Sequence, residues 1–201
     1  MIGFFGGSFD PFHNAHRVLA EAALSELGLE RLVVMPTNHP PHREPLLFSA
    51  DERLLLARAG LEGLPGAEVS DLEVRASTPQ YTFETLQQLS QDTSRQDWVL
   101  CLGADSFLTL DQWHRADELM ALYPCAVAPR VGIDQAEVHE KTQQWAKHRG
   151  LRVIELKTLL PRVSATEVRQ ALGQGRIPQN LLPPKVSACL KSMSHRVKAD
   201  H

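Results

Sequence analysis

The sequence predicts an α/β fold, a single-domain, doubly wound parallel sheet with helices on both faces, and three observations predict it. Short apolar runs alternate with helix-periodic segments along almost the whole chain. The 201 residues, 43% hydrophobic and 22% charged, suit one domain with a substantial core. The polar motifs fall where a strand's carboxyl end meets a helix's amino end, the place where ligands collect in such sheets.

The elements follow in βαβα order. Residues 2–5 are the first strand, 17–27 a helix ending at Gly28, 32–35 a second strand, and 53–59 a helix ending at Gly60. Strand-like runs recur at 68–74, 98–102, 126–128 and 153–156, with helices expected at 83–90, 115–122 and 135–148. Two Ser-x-x-Glu capping boxes, Ser49 with Glu52 and Ser164 with Glu167, mark helix starts. A last helix is expected from Pro183 to about Met193, with 194–201 a frayed tail.

Composition excludes several classes. A net charge of −3 and a pI near 6.3, without any lysine or arginine run, leave no broad basic face for nucleic acid. A phosphate ligand must therefore be held locally. Cys101, Cys125 and Cys189 are odd in number and widely spaced, which fits reduced thiols. Nothing reads as a signal peptide or membrane span, so a cytoplasmic protein with no membrane partner is expected. Monomer and homodimer both stay open.

Residues 6–16 read Gly-Gly-Ser-Phe-Asp-Pro-Phe-His-Asn-Ala-His, directly after the first apolar run. A strand that breaks into paired glycines and enters a helix brings backbone N–H groups and the positive end of the helix dipole to one spot. His13 and His16 meet there if the helix begins near Asn14, as cationic or donor groups for phosphate. The bland alternative is a tight turn with two solvated histidines. The pattern is neither G-x-G-x-x-G nor a P-loop. A zinc site from His13-x-x-His16 and His39-Pro-Pro-His42 is conceivable by spacing, but no cysteine lies near.

Three further segments carry chemistry. At 163–169, Ser164, Thr166 and Arg169 converge on a helix entrance, as a second anion site or as an ordinary capped helix start. Gly103 can admit a ligand to the backbone, and Asp105 offers a carboxylate to ribose hydroxyls or hydrated magnesium, or else caps a helix. Trp113 is either core or a flat surface for a pyridine ring. Residues 78–86 read as a turn into a helix with Thr82 as N-cap, a cradle for a carboxylate.

The motif GSFDPFHNAH resembles the Gly-Ser/Thr-Phe-Asp-Pro…His-x-Gly-His signature of nucleotidyltransferases, with Ala15 in place of the usual glycine. The 163–169 segment is similar to their Ile-Ser-x-Thr-x-x-Arg element, which grips the triphosphate. Pro79-Gln80-Tyr81-Thr82 with Thr85-Leu86, Gly103-x-Asp105-Ser106 with Trp113, and Pro40-Pro41-His42-Arg43 narrow the resemblance to the bacterial nicotinate-nucleotide adenylyltransferases. Gln80 replaces a serine of that pattern.

The resemblance implies a Rossmann-like fold and adenylyl transfer from ATP, carried with magnesium, to nicotinate mononucleotide, giving nicotinate adenine dinucleotide and pyrophosphate. It implies an ATP site at Gly6, Gly7, Ser8, Phe9, His13, His16, Gly103, Asp105, Ser164, Thr166 and Arg169, with His13, His16 and Arg169 catalytic. It implies a nicotinate mononucleotide site at His42, Arg43, Thr82, Trp113, His114 and Arg130, and no metal ligand among the side chains. Two departures stand out: Arg130 sits in Ala-Pro-Arg-Val-Gly rather than Arg-Pro-Gly, and the C-terminal helix lacks a tyrosine usual in the family. The alternatives are transfer to another phosphorylated acceptor, such as phosphopantetheine, a cytidylyl acceptor or nicotinamide mononucleotide, and a non-catalytic nucleotide sensor. A sensor is expected to lose one of the histidines or Arg169, and none is lost.

Overall fold

A computed structural model describes residues 1–38, 46–78, 80–92 and 97–199, with 194–199 described by backbone alone. Six strands, β1 (Ile2–Gly7), β2 (Arg31–Pro36), β3 (Ala67–Val69), β4 (Trp98–Gly103), β5 (Cys125–Ala128) and β6 (Val153–Glu155), form one sheet in the order β3-β2-β1-β4-β5-β6. Every pairing is parallel. The order reverses between β1 and β4, and that is the switch point at which a doubly wound sheet opens a crevice.

The helices are α1 (Asn14–Leu27), α2 (Ala50–Leu61), α3 (Leu72–Arg75), α4 (Thr82–Asp92), α5 (Ala104–Leu108), α6 (Ala116–Leu122), α7 (Gln135–Arg149), α8 (Ala165–Gly173) and α9 (Pro184–Ala199). Strand side chains alternate between faces, so neighbours in sequence enter different cores. Phe5, Val34, Val99 and Ala126 pack with Leu19 of α1, Leu56 of α2, Val168 of α8 and Val186 of α9. Phe4, Val33, Leu100 and Val127 pack on the other face with Leu86 of α4, Phe107 of α5, Leu119 of α6 and Trp145 of α7. Both faces are thus covered, as the continuous apolar strands require.

Local signals explain most helix ends. Gly28 and Gly150 take left-handed backbone as C-caps of α1 and α7, and Asp134 caps α7 through the Ala136 N–H. The Ser49–Glu52 box is complete in both directions. In the Ser164 box the serine accepts from the Glu167 N–H at 3.1 Å, and that is the half the structure shows.

Several expected boundaries move. The 68–74 run splits into the three-residue β3 and the helical turn α3, because Ser70 Oγ accepts the Leu72 N–H and turns the chain off the sheet edge. Helix α2 passes through Gly60 to Leu61; a Cβ on Gly60 would lie 2.2 Å from the Phe12 ring, so that position admits glycine alone. Arg115 stands before α6 with φ +54 instead of opening it. The last helix continues to Ala199, past the tail expected from Ser194. Cys101 and Cys125 are buried, and burial pushes both thiols up to about 12, while Cys189 is half-buried. No helix among the described residues is long and apolar enough to cross a membrane.

Candidate active site

The glycines that open the first motif are not the turn. Gly6 and Gly7 are the last residues of β1, and the left-handed backbone falls on Phe9, with φ +48. Their lack of side chains serves packing instead: a Cβ on Gly7 would lie 3.1 Å from the Phe9 ring. Phe9, Phe12 and Phe5 then form an aromatic floor beneath His16, whose ring meets Phe9 edge-on at 4.9 Å.

His13 is the N-cap of α1 and His16 its third residue. The His13 backbone N–H donates to His16 Nδ1 at 3.2 Å. A backbone N–H can only donate, so Nδ1 of His16 must hold a lone pair and a neutral ring carries its proton on Nε2. The two imidazoles stack face to face, 3.6 Å apart and 11° from parallel. Two positive rings at that separation would repel. His13 is only 3% exposed, and its Nδ1 is buried with no hydrogen-bond partner among the described residues. Burial first, and the Arg130 guanidinium second, lower His13 from 6.5 to about 4, with Asp105 pulling the other way. Burial of His13 and the bond into His16 Nδ1 therefore favour neutral rings over the cations that the motif alone allows. Near-parallel rings also keep their in-plane nitrogen lone pairs from converging on one metal ion.

Positive charge comes from two arginines. Arg169, on α8, donates to the Asp10 carbonyl at 2.8 Å and to Thr166 Oγ1 at 3.1 Å, and lies 3.6 Å from the Asp10 carboxylate. Arg130 donates to Asp105 Oδ2 at 2.8 Å and to the Val163 carbonyl, just ahead of α8. Its backbone is held there by a bridge to Leu160. The sequence placed Arg130 on the acceptor side; the structure places it in the cleft with the ATP candidates.

That cleft encloses about 270 Å³ and is lined by Gly6, Gly7, Ser8, Phe9, His13 and His16 on one wall. Gly103, Asp105, Arg130, Ser164, Thr166 and Arg169 form the other. Residues 159 positions apart thus share one hydrogen bond. The amino ends of α1 and α8 open on the same space, and a helix amino end favours an anion.

Two buried groups that sequence reasoning missed hold the walls. Asp10 is 1% exposed and accepts the Leu47 and Phe48 N–H groups, each at 3.0 Å. Arg53 of α2, also 1% exposed, donates to the carbonyls of Ser8, Asn38 and Phe48. The aspartate stood in view inside the motif, but its partners come from 37 and 38 positions away, and no local signal marks them.

The remaining acceptor candidates form a separate flank. The Tyr81 carbonyl receives the Thr85 N–H at 3.1 Å, so Thr82 is the first helical residue of α4 and not its N-cap. Tyr81 stacks on His114 at 4.3 Å, and His114 lies 3.2 Å from Glu84. Arg115 sits 3.9 Å above the Phe83 ring. Trp113 is half-buried against the second core. His114 therefore lies beside the start of α4, with Trp113 next to it in sequence, and α4 packs on the face of the sheet opposite α1. His42 and Arg43, with His39, Pro40 and Pro41, lie outside the described residues, as does Pro79.

Residues 4–171 match the family model described as Cytidylyltransferase-like. The chain belongs to that family. A relative from Synechococcus sp. (strain JA-3-3Ab), named "Probable nicotinate-nucleotide adenylyltransferase", is 33% identical over 99% of this chain and 95% of its own. One of the same name from Bordetella avium (strain 197N) is 37% identical over 92% of each. The fold matches a Plasmodium falciparum nicotinic acid mononucleotide adenylyltransferase complexed with NaAD, with a TM-score of 0.75, 15% identity and coverage of 96% and 95%. A putative nicotinate-nucleotide adenylyltransferase from Vibrio parahaemolyticus gives 0.65 at 19% identity, covering 95% and 91%. The family expected from the motifs is thus the family found.

Proposed function

We propose that the chain transfers the adenylyl group of ATP to nicotinate mononucleotide, releasing pyrophosphate. The observation that carries this reading is the shared cleft, in which the first motif and the α8 entrance face each other at the sheet's switch point. The acceptor's phosphate is its own nucleophile, since a phosphate monoester has a second pKa of about 6. No side chain need attack. The barrier lies in aligning two anions and relieving charge on the leaving pyrophosphate, so the protein's work is positioning and electrostatic stabilisation.

In this reading Arg169, Arg130 and the amino ends of α1 and α8 receive the triphosphate, while His16 Nε2–H donates to the phosphoryl group in transfer. Gly103 and Asp105 stand where β4 ends, near the ribose. Thr82 and the free N–H groups of the first turn of α4 take the nicotinate carboxylate, and Trp113 takes the ring. The donor set fits magnesium only as an ion carried on the phosphates: both Asp10 oxygens are occupied by N–H groups and one Asp105 oxygen by Arg130. When bound, magnesium neutralises charge between the phosphates. The placement of substrates, the magnesium and the residue roles rest on this geometry and on the relatives' names.

The test is pyrophosphate release from ATP and magnesium with nicotinate mononucleotide, nicotinamide mononucleotide or phosphopantetheine. The nicotinate form should turn over fastest. Faster turnover of either other acceptor would overturn the reading.

A further inference from the structure

Beside the α4 entrance lies a carboxyl that the reaction as described does not use. Glu73, on α3, is 3% exposed. Its Oε1 accepts the Thr85 hydroxyl at 2.7 Å, and its Oε2 is buried without a hydrogen-bond partner among the described residues. Thr85, itself 1% exposed, is the residue whose N–H closes the first turn of α4 on Tyr81. One side chain therefore joins α3 to the turn that opens α4.

We propose that Glu73 is a positioning residue for acceptor selection: through Thr85 it fixes the first turn of α4, and its buried carboxyl, when protonated, leaves that helix end free to receive an acceptor's carboxylate. The proposal rests on the reading of α4 as the nicotinate site. A buried carboxyl with one oxygen unbonded is costly to ionise and far less so when neutral. Burial pushes Glu73 up to about 7, with the Thr85 bond opposing. Among the described residues, several charged groups on the neighbouring elements pair with one another. On α2 and α3, Arg58 faces Asp71 at 3.8 Å, and Arg75 faces Asp51 at 2.9 Å and Asp71 at 3.7 Å. On α4, Glu84 faces His114 and Arg115. Once ionised, Glu73 would place a negative charge behind a helix end whose partial positive charge the acceptor's carboxylate needs, and the two would compete.

The experiment compares wild type, Glu73→Gln, Glu73→Ala and Thr85→Val by pyrophosphate release and by calorimetric binding of nicotinate mononucleotide, between pH 6 and 8.5. Glutamine keeps an acceptor for Thr85 and cannot ionise. The wild-type to E73Q ratio of acceptor KM, in which the substrate phosphate's own ionisation cancels, should be near one at pH 6. It should rise by roughly three- to tenfold at pH 8.5, the range a charge at a helix end supports. KM for ATP should not follow. E73A and T85V should raise acceptor KM at every pH with kcat little changed, and T85V carries this arm if E73A fails to fold. A ratio that stays constant with pH, or an unchanged acceptor KM in T85V, would overturn the role of Glu73 and leave the enzymatic reading standing. Wild-type protein that neither binds nor adenylylates the mononucleotide would sink both.

Discussion

The two sides of the switch point solve opposite electrostatic problems. In the proposed function the cleft between α1 and α8 receives a highly charged triphosphate, and it offers two guanidinium groups, each set against an aspartate. Its imidazoles stay neutral. In the same reading the flank at α3 and α4 receives a single carboxylate, and beside it the protein buries an acid, Glu73, whose pKa burial pushes up to about 7. The lesson of that reading is that fixed charge, paired with carboxylates, is used where the ligand is strongly anionic, and backbone donors with neutral neighbours where it is not. Neutral groups tuned in opposite directions, His13 downward and Glu73 upward, mark the two sides.

The largest break in this comparison should come from His16→Ala. Removing one preorganised donor from developing charge costs about 10²–10³ in kcat, with a smaller change in KM for ATP; steady-state kinetics will show it, and near-intact activity would remove His16 from the donor side. Next is Asp10→Ala, which removes the acceptor of two backbone N–H groups and releases Arg169. A loss of roughly 2–4 kcal/mol in urea unfolding is expected, together with a raised KM for ATP and an unaltered KM for the mononucleotide. A matching rise in both would show that the two sides are one unit.

Stability against pH separates the sides more finely. His13 binds its proton less readily folded than unfolded, so its contribution is present above 6.5 and is lost as pH falls from 6.5 towards 4, on the order of 3 kcal/mol. Glu73 runs the other way: the unfolded chain ionises near 4.5 and the folded one near 7, so stability falls as pH rises through that window and levels off above it. Glu73→Gln should abolish the second slope and leave the first. Denaturant melts of both proteins at pH 5, 6 and 8 provide the check.

Much of this was legible in the sequence because it is local. Strand runs, Gly28, the two serine caps and the two helix-entrance motifs are signals carried within a few residues, and their meeting at strand ends follows from α/β topology. What escaped is tertiary. Arg130 joins the cleft between α1 and α8 through a backbone tie to Leu160, which lies 30 positions on. Asp10 and Arg53 become partners of the site through chain segments that sequence distance hides. Glu73 reads as one residue of a strand-like run, and only the turn at Ser70 makes it helical and buries it against Thr85. Thr82 was displaced by one position because Tyr81, with no capping side chain, supplies the carbonyl that starts α4.

The claim on which the donor side stands is that the cleft meets phosphate with guanidinium charge and neutral imidazole donors. Nitrogen-15 NMR of the histidine rings, followed from pH 8 down to pH 4 without nucleotide, reads it directly. The account predicts His16 with its proton on Nε2 at neutral pH, and His13 uncharged until close to pH 4. Either ring found as imidazolium at pH 7, or His16 protonated on Nδ1, would contradict it.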